Sequence, residues 1–281
     1  MARGFILSLI SVVLAASACA PAQTAYVGFD RNDYPGDAAL PALRQRFRYA
    51  GYWLNNPPGE SRNTWTGKRE RLKRNGLGFL VLFNGRLYAQ LKGQDAAALG
   101  AADGRAATEA AAREGFPRRV LIFLDMEEGG RLLAKQAAYI FAWIDAVQKA
   151  GMRAGVYCSG IEVTDSSGTI STAQDLAERL AASGHSGPRN RVALWVANDA
   201  CPPSPGCTLK APQLRALNFS SDAADVVVWQ YAQSPRRKQF SAACPRNQAA
   251  DGKCYAPGLP PGPDSFVDLN VARSPDPSEW R

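Results

Sequence analysis

Four acidic residues stand where apolar runs stop, and their types and spacing fit one kind of chemistry. The stretch VLIFLDMEEGG (120–130) ends an apolar run with Asp125, Glu127 and Glu128. Asp125 and Glu127 are two apart, so on a strand their side chains share one face, whereas Met126 and Glu128 point to the other. YVGFD places Asp30 at the end of the first apolar run, and FVDLN places Asp268 near the end of the last. Carboxyl groups crowded together raise one another's pKa, and partial burial adds to this. One can then stay protonated near neutral pH and act as a general acid while another remains ionised. Glycoside hydrolysis needs that division: the acid protonates the leaving oxygen, and a second carboxylate supports charge at the anomeric carbon or orients a nucleophile. Glu128 has a more local use, because it precedes a helix expected from about 131, whose macrodipole favours a carboxylate.

Aromatic residues supply the other half of a sugar site. Tyr157 in GVYCSG, Trp195 in ALWVAND, and Trp229 with Tyr231 in VVVWQYAQ all fall at the ends of apolar runs, where flat rings can stack on a sugar; about half are expected to be packing residues instead. Other chemistries have less to work with. The single histidine, His185, stands in ASGHSGP, a helix-end loop; a metal hydrolase or a Ser-His-Asp triad would have to route through it, and no Gly-x-Ser-x-Gly elbow is present. Cys158 lies in an apolar strand with no basic partner nearby, which describes a buried structural thiol.

These residues need elements to position them. Apolar runs alternate with segments of helical period, the signature of βα units around a parallel sheet. Eight strands are expected at 26–30, 49–54, 78–84, 119–127, 153–159, 192–198, 225–231 and 265–270. Helices are expected at 37–47, 66–75, 94–115, 131–150 and 172–183, with a short one near 211–218. The fourth is the clearest: Leu133, Ala137, Ile140, Phe141, Ile144 and Val147 recur at helical spacing, and Lys149 and Gly151 close it. Eight strands over about 250 residues fit a single-domain α/β protein of (β/α)8 TIM-barrel type, whose active site forms at the C-terminal ends of the strands. The segment 232–264 is rich in Pro, Gly and cations and shows no period. It reads as a long, disulfide-containing loop before the last strand.

The ends carry an address. Residues 1–24 have one arginine, a short apolar run and then small residues, the layout of a secretory signal too short to span a bilayer permanently. Ala16-Ser17-Ala18-Cys19 resembles a lipobox, so Cys19 is a candidate for lipidation; cleavage at an Ala-x-Ala site is the alternative. Cys201 and Cys207 lie close in sequence, as do Cys244 and Cys254, and two local disulfides are expected after export, with other pairings left open. The barrel domain then covers 25–272, and 273–281 is expected to be a frayed tail. A net charge of +8 and a pI near 9.3 point to anionic neighbours such as cell-wall polymers or lipid headgroups rather than nucleic acid.

Taken in order, GFD, LDME, GVYCSG, LWVA, VWQY and VDLN resemble the glycoside hydrolase family 25 lysozymes. Through GFDRNDYP and YAGYWL the chain is more similar still to a bacterial secreted glycoside-hydrolase-like domain of unknown function related to them; the likeness covers about residues 26–272. The resemblance implies a muramidase-like cut in peptidoglycan by a monomeric, exported enzyme with no metal and no organic cofactor. By position it makes Glu127 the general acid, with Asp125, Asp30 and Asp268 positioning a polysaccharide substrate. One of them would steer a 2-acetamido group whose own oxygen attacks the anomeric carbon. Tyr157, Trp195, Gln230 and Asn270 fall among the expected substrate contacts. Asn32 departs from the small hydroxylated residue usual two places after the first aspartate. The competing expectation is a non-catalytic glycan-binding envelope protein that uses the same barrel mouth.

Overall fold

The computed structural model describes residues 25–184, 191–200, 223–235, 237 and 253–279. Its strands are β1 (Tyr26–Asp30), β2 (Tyr49–Trp53), β3 (Gly78–Asn84), β4 (Leu121–Asp125), β5 (Arg153–Ser159), β6 (Val163–Asp165), β7 (Gly168–Ile170), β8 (Val192–Ala197), β9 (Ala224–Ala232) and β10 (Asp268–Ala272). The helices are α1 (Leu40–Arg46), α2 (Arg69–Arg74), α3 (Tyr88–Leu91), α4 (Ala96–Arg113), α5 (Ala134–Lys149) and α6 (Thr172–Ala182). Eight strands close a barrel in the order β1-β10-β9-β8-β5-β4-β3-β2. The apolar runs became these strands because they are buried on both faces, barrel interior on one side and helices on the other.

The barrel is not all-parallel. β1 to β5, β8 and β9 run one way, but β10 pairs antiparallel with both β1 and β9. The reason was present in the sequence. Two parallel neighbours need a crossover that carries the chain back to the starting end, and the aperiodic segment 232–264 offers no helix to do so. The chain instead leaves β9 at the mouth and re-enters there, running downward. Asp268 therefore opens the last strand rather than nearing its end, and it still reaches the mouth, directly opposite Asp30 in the register.

Other departures are local. β6 and β7 form an antiparallel hairpin after β5 where no strands were expected, although Val163-Thr164 and Thr169-Ile170 flank an Asp-Ser-Ser-Gly turn. In α5 the buried face is broader than one stripe: Tyr139 and Trp143 are buried as well as Ile140, Ile144 and Val147, while Leu133 is exposed. The cause is α4, which packs along α5 at very short range. A Cβ added at Gly100 would come within 2.1 Å of the Tyr139 carbonyl oxygen, and one at Gly104 within 2.8 Å of the Trp143 carbonyl oxygen.

The tail expected to fray is tied down as far as Glu279. The Ser278 N–H donates to the Phe79 carbonyl, its carbonyl accepts from the Leu121 N–H, and its hydroxyl accepts from the Val81 N–H. No helix among the described residues is long and apolar enough to cross a membrane. Residues 1–24 with Cys19, and Cys201, Cys207, Cys244, His185 and the short helix near 211–218, lie outside the described residues, so the expected disulfides are not seen. Cys254 and Cys158 are buried, and burial pushes the Cys158 thiol up to about 12, far from a nucleophile's range.

Candidate functional site

The C-terminal ends of β1, β4, β5, β8 and β9 and the start of β10 surround a cleft of about 360 Å³, within the ordinary range of ligand pockets. Asp30, Asp125, Glu127 and Asp268 all line it, so residues far apart in the chain meet at one mouth. Each is positioned differently. Asp30 is the last residue of β1 and needs Gly51 beside it on β2, because a Cβ there would lie 2.6 Å from the Asp30 Cβ. Asp125 ends β4 and is buried. Glu127 follows in the loop beyond the strand, which ends two residues sooner than the sequence indicated; its side chain is exposed to the cleft.

Beneath the carboxylates runs a continuous hydrogen-bonded floor. The Tyr157 hydroxyl donates to Gln230 Oε1 at 2.8 Å, which turns the Gln230 amide nitrogen toward Asp30 (3.1 Å) and Asp268 (3.3 Å). Trp195 Nε1 donates to Asn270 Oδ1 at 2.8 Å, and Asn270 Nδ2 in turn donates to Asp30 Oδ1 at 2.6 Å. The Ser234 N–H donates to Asp268 Oδ1 at 2.6 Å. Asn270 is wholly buried and lies below the cleft, where it holds Asp30. Tyr157 and Trp195 line the cleft but are almost covered, with ring centroids 4.7 Å apart, and form floor rather than free stacking platforms. Trp229 and Tyr231 are buried, with the Trp229 indole nitrogen donating to the Asn198 carbonyl.

The electrostatics divide the four acids. Burial raises Asp30 to about 6, held back by the bonds from Asn270 and Gln230 and pushed up further by Glu127. Asp268 rises well above the usual carboxylate range through burial and the neighbouring Asp30, despite its bond from Ser234. Asp125 also rises far, from burial first and then from the charges of Glu127 and Asp30. Among the described residues no amide, hydroxyl or guanidinium group donates to either Asp125 oxygen. Its polar neighbour is the Glu127 carboxyl, and two carboxyl groups can bond only if one carries a proton. Glu127 is itself raised by the cleft walls, with Arg237 and the bond from Asp125 opposing that rise. Burial and mutual repulsion thus favour a proton on the Asp125–Glu127 pair, with Asp125 its stronger holder, and Glu127 is the member open to a ligand.

Several lining residues carried no readable signal. Arg31, Trp53, Pro263, Asp264 and Phe266 line the mouth, and Arg237, bonded to the buried Asp199, brings a positive charge near Glu127 from the long loop. Only the pairing of distant loops assigns them there. Glu128, expected at the N-terminus of α5, accepts from the Tyr88 N–H at the start of α3 and from the Gln136 side chain, each at 2.7 Å, so it joins two helix starts outside the cleft. Asn32 lines the cleft and donates to the Pro58 carbonyl at 3.1 Å.

The chain's relatives agree with this architecture. Residues 45–215 match the profile of the Rv2525c-like, glycoside hydrolase-like domain. Among solved structures, an uncharacterised protein of B. stearothermophilus superposes with a TM-score of 0.56 at 22% identity, covering 88% of this chain and 95% of that one. The spore cortex lytic enzyme SleM of Clostridium perfringens gives 0.53 at 13% identity, covering 89% and 68%. The Tat-secreted protein Rv2525c of Mycobacterium tuberculosis gives 0.49 at 12% identity, covering 92% and 100%. At these identities the first two likenesses speak for the fold alone. No curated protein matches the sequence.

Proposed function

The chain belongs to the Rv2525c-like, glycoside hydrolase-like domain family, and from that premise we propose that it is an exported hydrolase of cell-wall glycan, cutting peptidoglycan in the manner of a muramidase. The observation that carries the proposal is the Asp125–Glu127 pair in an open cleft: a buried carboxyl that favours its protonated form beside an accessible one, with ionisable Asp30 and Asp268 near them. Glu127 protonates the glycosidic oxygen. Asp125, shielded beneath it, is the member that favours the protonated form and passes its proton on through Glu127. Asp30, held by Asn270 and Gln230 and ionised above a pH of about 6, orients the sugar together with Asp268. A substrate-assisted route, in which a 2-acetamido oxygen attacks the anomeric carbon, requires of the protein only this acid and an orienting carboxylate. Tyr157, Trp195, Gln230 and Asn270 form the floor that fixes the two orienting carboxylates.

The structurally similar SleM is by name a spore cortex lytic enzyme, which agrees with this substrate class. Release of reducing ends from purified peptidoglycan tests the proposal. Removing the acid in Glu127→Gln is expected to lower the rate by roughly 10²–10⁴-fold, the usual contribution of a general acid, with the thermal transition unchanged. Wild-type protein that binds the glycan without releasing reducing ends would instead identify a glycan-binding protein.

A further inference from the structure

The barrel's two ends carry different side chains. The mouth gathers carboxylates; the base, where the parallel strands begin and β10 finishes, gathers arginines. Arg48 precedes β2, Arg118 and Arg119 precede β4, Arg153 opens β5, Arg191 precedes β8 and Arg273 follows β10. All but Arg153 are exposed, and Arg153 is half-buried. Arginines in the last turns of α1, α2 and α4 have a local explanation in the helix dipole. Those placed against the strands do not. Arg153, Arg191 and Arg273 line a second cavity, of about 400 Å³, at this end.

Neutralisation of these charges is incomplete. Arg191 pairs with Asp225 at 2.9 Å. Arg153 donates to the main-chain carbonyls of Arg119 and Ser278 at 2.8 and 2.9 Å. Of the nearby acids, Glu279 pairs with Arg69, while Asp276 accepts from the Phe79 N–H and lies within electrostatic reach of Arg153. The chain also enters the barrel on this side, since Tyr26 starts β1 opposite Ala272, the last residue of β10. In the sequence Cys19 stands seven residues before Tyr26.

We infer that the base of the barrel docks on an anionic phospholipid surface, with the carboxylate cleft turned away from the membrane toward the wall. Each exposed cation near such a surface strengthens attachment, so their concentration at the base sets orientation as well as affinity. An apposed membrane fits better than a single small anion, because the cations spread across the whole end of the barrel and the chain start that a lipid would tether lies on the same side. The inference does not depend on whether the cleft cuts glycan.

Vesicle co-sedimentation tests it, using Cys19→Ser protein recovered from the medium of an exporting host, so that no attached lipid contributes. Vesicles of phosphatidylcholine with about a third phosphatidylglycerol should take up the protein at low salt and release it near 0.5 M salt, where screening shortens to a few Å. Vesicles of phosphatidylcholine alone should not take it up. Reversing Arg118, Arg119 and Arg273 together to Glu should weaken uptake at least about a hundredfold. The triple Arg→Lys variant should keep it, and both variants should unfold at the wild-type temperature. Equal uptake by neutral vesicles, or uptake unaffected by charge reversal, overturns the inference. Binding to a soluble anionic glycopolymer with none to anionic vesicles also overturns it and makes the polymer the partner.

Discussion

Asp125 is the residue on which burial weighs most. Its folded carboxyl holds a proton far more tightly than an unfolded one would, so the fold favours the protonated form. The sign follows directly. A raised carboxyl pKa leaves stability intact below the ordinary value near 4, and that stability is lost as pH rises through the folded value. Asparagine resembles the protonated acid and cannot ionise, and its amide can donate to Glu127. Asp125→Asn is therefore expected to melt a few degrees above wild type at pH 8, roughly what 1–2 kcal/mol gives in a chain of this size, with the difference vanishing near pH 4. Melting curves at the two pH values check this. The same substitution should cut hydrolysis sharply, a stability gain set against function. Asp30, Asp125, Glu127 and Asp268 were legible in the sequence because an acid ending an apolar run is conspicuous. The distinction between Glu127 at the cleft edge and Asp125 beneath it was not, since it depends on where β4 stops and on the long loop that brings Arg237 near.

Elements position these residues through close approaches that only glycine permits. Gly51 on β2 makes room for Asp30; a methyl group there must push against the Asp30 Cβ. Gly51→Ala is expected to lower activity about tenfold or more, the scale of loss that misplacing a reacting group by a fraction of an ångström produces, at modest cost in stability. Steady-state kinetics beside a melting curve separates the two effects. On the outer layer, Gly100 lets α4 lie against the α5 backbone, and Gly100→Ala should destabilise by about 1–3 kcal/mol as overpacking, read from denaturant midpoints, with the cleft unaffected. Periodicity located α4 and α5 within a few residues but not their contact. The Gly-x-x-x-Gly spacing of Gly100 and Gly104 was the available sign, and it explains why Tyr139 and Trp143 are buried outside the single stripe that the sequence showed. The direction of β10 was implicit as well: the sequence between β9 and β10 shows no helical period for a crossover back to the base.

At the scale of the whole molecule, barrel closure converts positions spread from Asp30 to Asp268 into one acidic mouth and leaves a basic end opposite. Composition recorded only the net charge of +8; the gathering of arginines at the base required the topology. The account turns on the claim that carboxyl groups brought together by closure keep a proton near neutrality. Carbon-13 NMR titration of the Asp and Glu side-chain carboxyls measures this directly, in wild type and in Asp125→Asn. The account predicts a group titrating near 6 for Asp30, together with at least one carboxyl still protonated above that pH which disappears in the variant. Titration of every carboxyl in the ordinary range near 4 would contradict it.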